Sequence, residues 1–142
     1  MKMQVLYWTK TGNAQLVADQ VSRVFKCKCD QIPPAYPCDN EKLVLIFFEE
    51  KGKNNKQMIA FCKDLTISRA QNVALIALGN GNTDVTGLVD IFKANGVNVV
   101  GTKNLTVHSG LFGKGKITNQ HIADASDFAK EIAGKIFEKI EY

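Results

Sequence analysis

The sequence predicts an α/β fold in which a parallel sheet is covered by helices on both faces. Three observations carry that prediction. A short apolar strand runs straight into an amphipathic helix at the N-terminus, between Met3 and Phe25. Two later runs, Leu43 to Phe48 and Val73 to Leu78, are apolar at every position, as expected of strands buried on both sides. Helical patterns alternate with these strands down the chain. With 142 residues, 45% of them hydrophobic, the chain is long enough for a full core and is expected to form one domain over residues 1–142.

The first strand is Met3 to Trp8, and the first helix follows from about Asn13 to Phe25, with Leu16, Val17, Val21, Val24 and Phe25 as its apolar face. A short second strand near Lys26 to Ile32 ends at Pro33-Pro34, whose missing donors suit an edge strand leaving the sheet. The segment to Glu41 reads as a loop. After the strand at Leu43 to Phe48, Lys56 to Leu65 reads as a helix with Met58, Ile59 and Cys62 inward. Beyond the strand at Val73 to Leu78, Asp84 is an N-cap or first-turn acid for a helix whose stripe is Val85, Leu88, Val89 and Phe92 and which stops before Asn95-Gly96. Val97 to Val107 supplies the last strand, with a break expected near Thr102-Lys103. A closing helix is expected from about Asn119 to Ile140, with Ile122, Phe128, Ile132, Ile136 and Ile140 as its stripe.

Composition narrows the function classes. A net charge of +4 is moderate, and aromatics do not interleave with the basic residues as an RNA-binding sheet requires, so no nucleic-acid partner is expected. The only early apolar run is brief and interrupted by Gln4, which fits neither a signal peptide nor a membrane span, and a cytoplasmic location is expected. Cys27, Cys29, Cys38 and Cys62 lack paired C-x-x-C spacing, so they read as small buried thiols rather than metal ligands. Gly113-Lys114-Gly115-Lys116 has no G-x-x-x-x-G-K pattern and no hydroxyl after the lysine, and reads as a basic loop. His108 has no nucleophile beside it in any recognisable motif, so no catalytic residue is assigned.

The most informative segment is Thr9-Lys10-Thr11-Gly12-Asn13-Ala14, the turn between the first strand and its helix. Backbone N–H groups and hydroxyls at a helix N-terminus favour an anion, and Gly12 lets the backbone approach it closely. Phosphate is the natural candidate. The same segment also reads as a plain strand–turn–helix corner in which Thr and Asn act as caps.

Tyr7-Trp8-Thr9-Lys10-Thr11-Gly12-Asn13, opening on an N-terminal strand, resembles the FMN-phosphate loop of the short-chain flavodoxins, and the order of apolar strands after it extends the resemblance over most of the chain. The resemblance implies a flavodoxin-like doubly wound sheet of five strands in the order 2-1-3-4-5, with a ligand at the carboxyl edge where the strand order switches. It implies that Thr9, Lys10, Thr11, Gly12, Asn13 and Ala14 hold the phosphate of FMN. Ala14 stands where a threonine is usual, a loss on the order of 1 kcal/mol. It further implies that Glu50, Lys51 and Gly52, from the loop Glu49-Glu50-Lys51-Gly52-Lys53, border one side of the isoalloxazine ring, with Gly52 as a peptide able to flip toward it. Gly52 reads equally as an ordinary surface turn. Gly79, Asn80, Gly81 and Asn82 would border the other side, without the Tyr or Trp usual there; base stacking on aromatics, worth roughly 1–3 kcal/mol, measures what is lost. Trp8 is expected to serve core packing, and Phe112 is the late candidate for a lid.

Three functions follow from that resemblance. The first is an FMN-binding electron carrier with redox partner proteins of acidic surface, in which Lys51 and Lys53 favour the reduced flavin anion; about 1 kcal/mol per one-electron step would raise the potential by roughly 40 mV. The second is a flavodoxin-like activator of ribonucleotide reductase. The third is a binding module that keeps the fold but has lost FMN.

Overall fold

A computed structural model describes residues 1–108 and 115–140. Among these residues the strands are β1 (Met3–Trp8), β2 (Lys28–Gln31), β3 (Leu43–Glu49), β4 (Asn72–Gly79) and β5 (Asn98–Thr106), and the α-helices are α1 (Asn13–Phe25), α2 (Lys56–Asp64), α3 (Thr86–Ala94) and α4 (Asn119–Ile136). The strands form one sheet in the order β2-β1-β3-β4-β5, parallel at every pairing, as the resemblance implied.

Strand periodicity divides the core into two layers. Val5, Leu43, Leu45, Phe47, Ala74 and Ile76 point to the side covered by α1 and α4. Leu6, Val44, Ile46, Phe48, Val73, Leu75 and Ala77 point to the side covered by α2 and α3. Both central strands are therefore buried on both faces, which is why they need apolar residues at consecutive positions. No helix among the described residues is long and apolar enough to cross a membrane.

Several boundaries differ from expectation, each for a local reason. β2 is confined to Lys28–Gln31, because β1 offers partners only from Gln4 to Tyr7. The expected break in the last strand is absent at Thr102-Lys103; the irregularity lies earlier, where Val73 pairs with Val99 but Ala74 with Gly101, leaving Val100 as the extra residue. Gly101 makes room for α4: a Cβ there would lie 2.5 Å from the Ile132 side chain. α4 ends at Ile136, four residues before Ile140, and its buried face is Ala125, Ser126, Ala129, Ile132 and Ala133 rather than the isoleucine stripe alone. Leu16 is 46% exposed, off the inner face of α1, which Ala14, Ala18 and Ser22 complete. A short 3₁₀ turn, Glu50–Asn54, follows β3 where the sequence suggested only a loop.

Candidate functional site

In a parallel sheet, register decides which residues emerge together at the carboxyl edge. Trp8 is level with Phe48 across β1 and β3, so Thr9, the first residue past β1, emerges beside Glu49, the last residue of β3. Thr9 enters the turn before α1, and Glu49 faces it with a carboxylate.

That carboxylate occupies the centre of the turn. Its Oε1 accepts hydrogen bonds from the Lys10 N–H at 3.1 Å and the Thr11 N–H at 2.8 Å. Its Oε2 accepts from the Ala14 N–H at 3.3 Å and from the Thr9 hydroxyl. The turn braces itself around this anion. Thr9 Oγ1 accepts from the Gly12 N–H at 2.9 Å, and Thr11 Oγ1 accepts from the Asn13 N–H at 3.2 Å. Gly12 takes a φ of 92°, a left-handed conformation that costs a glycine little, and serves as the N-cap of α1 without any side-chain cap. Asn13 does not cap either; its Nδ2 donates to the Gly115 carbonyl at 2.9 Å and ties the turn to the chain entering α4.

Electrostatics agree with the geometry. Burial acts to raise the Glu49 pKa, but hydrogen bonds from Thr9, Thr11 and Lys10 outweigh it and leave the carboxyl below the ordinary glutamate value. Glu49 is thus ionised and held by the oriented N–H groups and the positive end of α1. The turn combines features of both readings: the Thr9 and Thr11 hydroxyls brace the corner, and its N–H groups hold an anion that is the chain's own carboxylate.

Beside the seat lies a cavity of about 530 Å³, lined by Trp8, Lys10, Thr11, Asn13, Glu49, Glu50, Lys51, Leu78, Gly79, Val107 and Gly115. Its volume is in the range of small-molecule sites. Lys10, Thr11, Asn13, Glu50, Lys51 and Gly79, all anticipated from the sequence, are brought together there. Thr9, Gly12 and Ala14 lie behind them around the Glu49 carboxylate. The remaining anticipated residues fall elsewhere. Gly52 is buried beneath Trp8, where a Cβ would lie 2.6 Å from the indole, and its carbonyl accepts from the Asn55 N–H at 2.9 Å. Asn80, Gly81 and Asn82 are outside the lining; Gly81 turns at φ 95° against Thr106. Lys53 lines a separate hollow with Asp84 and Leu88. Phe112 lies outside the described residues.

Glu49, Trp8, Leu78, Val107 and Gly115 are site residues that the sequence did not single out. For Glu49 the available signal was an acid ending an otherwise apolar strand; only the register gives it meaning. Trp8 shares the Leu6 side of β1, and it both packs on the core and forms a wall of the cavity.

Among the described residues, no group of three or more His, Cys, Asp or Glu side chains is placed to hold a metal ion. Burial pushes the Cys27, Cys29 and Cys38 thiols up to about 11 and that of Cys62 up to about 12. His108 is exposed and outside the cavity lining.

No protein-family model and no curated protein matches the chain. Solved structures do. A short-chain flavodoxin associated with a non-canonical PDU bacterial microcompartment is 16% identical with a TM-score of 0.69, over 96% of this chain and 100% of the other. Flavodoxin 2 from Bacillus cereus is 14% identical with a TM-score of 0.67, over 95% and 99%. A flavoprotein in complex with FMN from Lactobacillus acidophilus NCFM is 15% identical with a TM-score of 0.56, over 72% and 91%. The chain therefore has a flavodoxin-like fold.

Proposed function

We propose that this chain, with its flavodoxin-like fold, is a binding module that keeps the cavity at the carboxyl edge of the sheet but does not hold FMN through its phosphate. One observation carries this reading: the donors that a phosphate would need are already bound to Glu49. A phosphate entering the seat would have to remove the carboxylate from at least four hydrogen bonds, and it would still face a negative charge nearby. At 4 Å and an effective dielectric of 20, that repulsion is about 4 kcal/mol per unit charge on the phosphate. The residues present therefore do not fit the phosphate half of FMN while Glu49 is in place. Among the described residues that line the cavity, Trp8 is the aromatic one.

A second reading, the FMN-binding electron carrier, is supported by the cavity itself and by the flavodoxins among the structural neighbours. In that reading Lys10, Thr11 and Asn13 border the phosphate, Trp8, Glu50, Lys51 and Gly79 border the ring, and the flavin supplies the electron chemistry. Activation of a reductase partner depends on the same flavin and stands or falls with it. The two readings separate in an FMN titration of the purified protein, followed by flavin fluorescence with riboflavin as control. No binding at tens of micromolar FMN is expected. Sub-micromolar binding that riboflavin cannot match would install the electron carrier instead.

A further inference from the structure

We infer that Glu49 is a specificity-determining residue, an internal substitute for a ligand phosphate, and that its replacement by a neutral side chain opens the seat to phosphate monoesters. The inference rests on the reading that the wild-type site excludes the phosphate of FMN, and it adds that the receptor behind Glu49 is complete without it.

The seat is already built as an anion receptor. Three backbone N–H groups and a hydroxyl converge on one carboxylate, at the head of a helix of thirteen residues. The donors come from the backbone of residues 10, 11 and 14 and from Thr9, none of which a change at position 49 removes. The turn is also held by bonds in which the carboxylate takes no part: Gly12 N–H to Thr9 Oγ1, Asn13 N–H to Thr11 Oγ1 and Asn13 Nδ2 to the Gly115 carbonyl. The seat opens onto the cavity, because Lys10, Thr11, Asn13 and Glu49 line it. A phosphate monoester attached to a planar group could thus reach these donors from the cavity once the carboxylate is gone. Serine at position 49 would also leave a hydroxyl beside the phosphate, whereas glutamine would keep the size of the side chain, remove its charge and put an NH₂ in place of one acceptor oxygen.

FMN and riboflavin are titrated by flavin fluorescence against wild type, Glu49→Ser and Glu49→Gln, with inorganic phosphate as competitor and thermal melts to confirm folding. Wild type is expected to bind FMN no better than riboflavin. Glu49→Ser is expected to bind FMN at least tenfold more tightly than wild type, with riboflavin unchanged and the gain abolished by millimolar phosphate; Glu49→Gln should gain less. Folded variants that bind FMN no better than an FMN-blind wild type would overturn the assignment of Glu49 and leave the binding-module reading intact. A wild type that prefers FMN to riboflavin would overturn both. Should neither variant fold, wild type alone decides: a rise in its melting temperature with inorganic phosphate at constant ionic strength overturns the inference, and no rise supports it.

Discussion

Replacing Glu49 by glutamine removes a charge and keeps the shape, so its effect on stability can be worked from the bonds around it. The carboxylate accepts from Lys10 and Thr11 on one oxygen and from Ala14 and Thr9 on the other. Glutamine keeps one acceptor oxygen and presents an NH₂ to the Ala14 N–H, so one side of the seat loses its acceptor. Bonds to a charged group are worth about 1.5–3 kcal/mol against about 0.5–1.5 for neutral ones. The two surviving bonds thus weaken by roughly 1 kcal/mol each if they act independently, less where water screens them. Allowing for that screening and for the lost pairing at Ala14, Glu49→Gln should cost about 2 kcal/mol at pH 7. For a domain of this size that is roughly 6 °C in Tm. The pH dependence is the sharper test. The folded carboxyl titrates below its ordinary value of 4.5, so its contribution is complete above that pH and is lost as pH falls through the lower, folded value. The gap between wild type and variant in urea or thermal melts should therefore be full at pH 7 and close progressively in acid below about 4.5. A gap that is absent at pH 7, or that persists unchanged into acid, would refute the argument that the turn holds an ionised Glu49.

Other substitutions probe the supports of the site. Gly52→Ala would push a methyl group against Trp8 and should cost about 1–3 kcal/mol with a shift in tryptophan emission, which Trp8 alone reports in this chain; unchanged emission and stability would mean the indole does not cover Gly52. Thr83→Val replaces a buried hydroxyl that finds no hydrogen-bond partner among the described residues, and should be neutral or stabilising by up to about 1 kcal/mol in urea melts; a clear loss would reveal a partner for that hydroxyl. Asn95→Ala removes an amide that donates to the carbonyls of Cys62, Lys63 and Leu65 at 3.0, 3.0 and 3.3 Å, and should cost about 1–2 kcal/mol by loosening the end of α2 from α3. The raised thiol pKa values predict that native protein reacts with iodoacetamide at pH 7 far more slowly than the unfolded chain; comparable rates would show that the thiols are not protected.

The layered fold was legible because its signals are local. Leu43 to Phe48 and Val73 to Leu78 announce two-sided burial through residue type alone, and the order of the strands followed from the resemblance. The misplaced details depend on packing partners. Leu16 fits a helical stripe but faces solvent, because small Ala14 and Ala18 are what β1 and β3 admit beneath α1. The isoleucines of the last helix suggested too long a stripe for the same reason, since Ala125, Ala129 and Ala133 carry the contact. At the site, the turn from Thr9 to Ala14 was readable as an anion receptor from its hydroxyls, glycine and helix. Its occupant was not, because Glu49 lies 35 to 40 positions away and meets the turn only through the register of β1 on β3. Gly52 likewise looks like a turn glycine in the sequence, and only the placement of Trp8 shows that it is there to make room.

The tie between Glu49 and the turn bears on how the molecule responds to its surroundings. A protein whose helix N-terminus waits for an external anion is stabilised by RT ln(1 + [L]/Kd), and so melts at a temperature that tracks ligand concentration. Here the counter-charge travels with the polypeptide, at a local concentration that dilution, dialysis or starvation for a cofactor cannot change. The stability that this carboxylate lends the turn is therefore independent of any ligand's concentration.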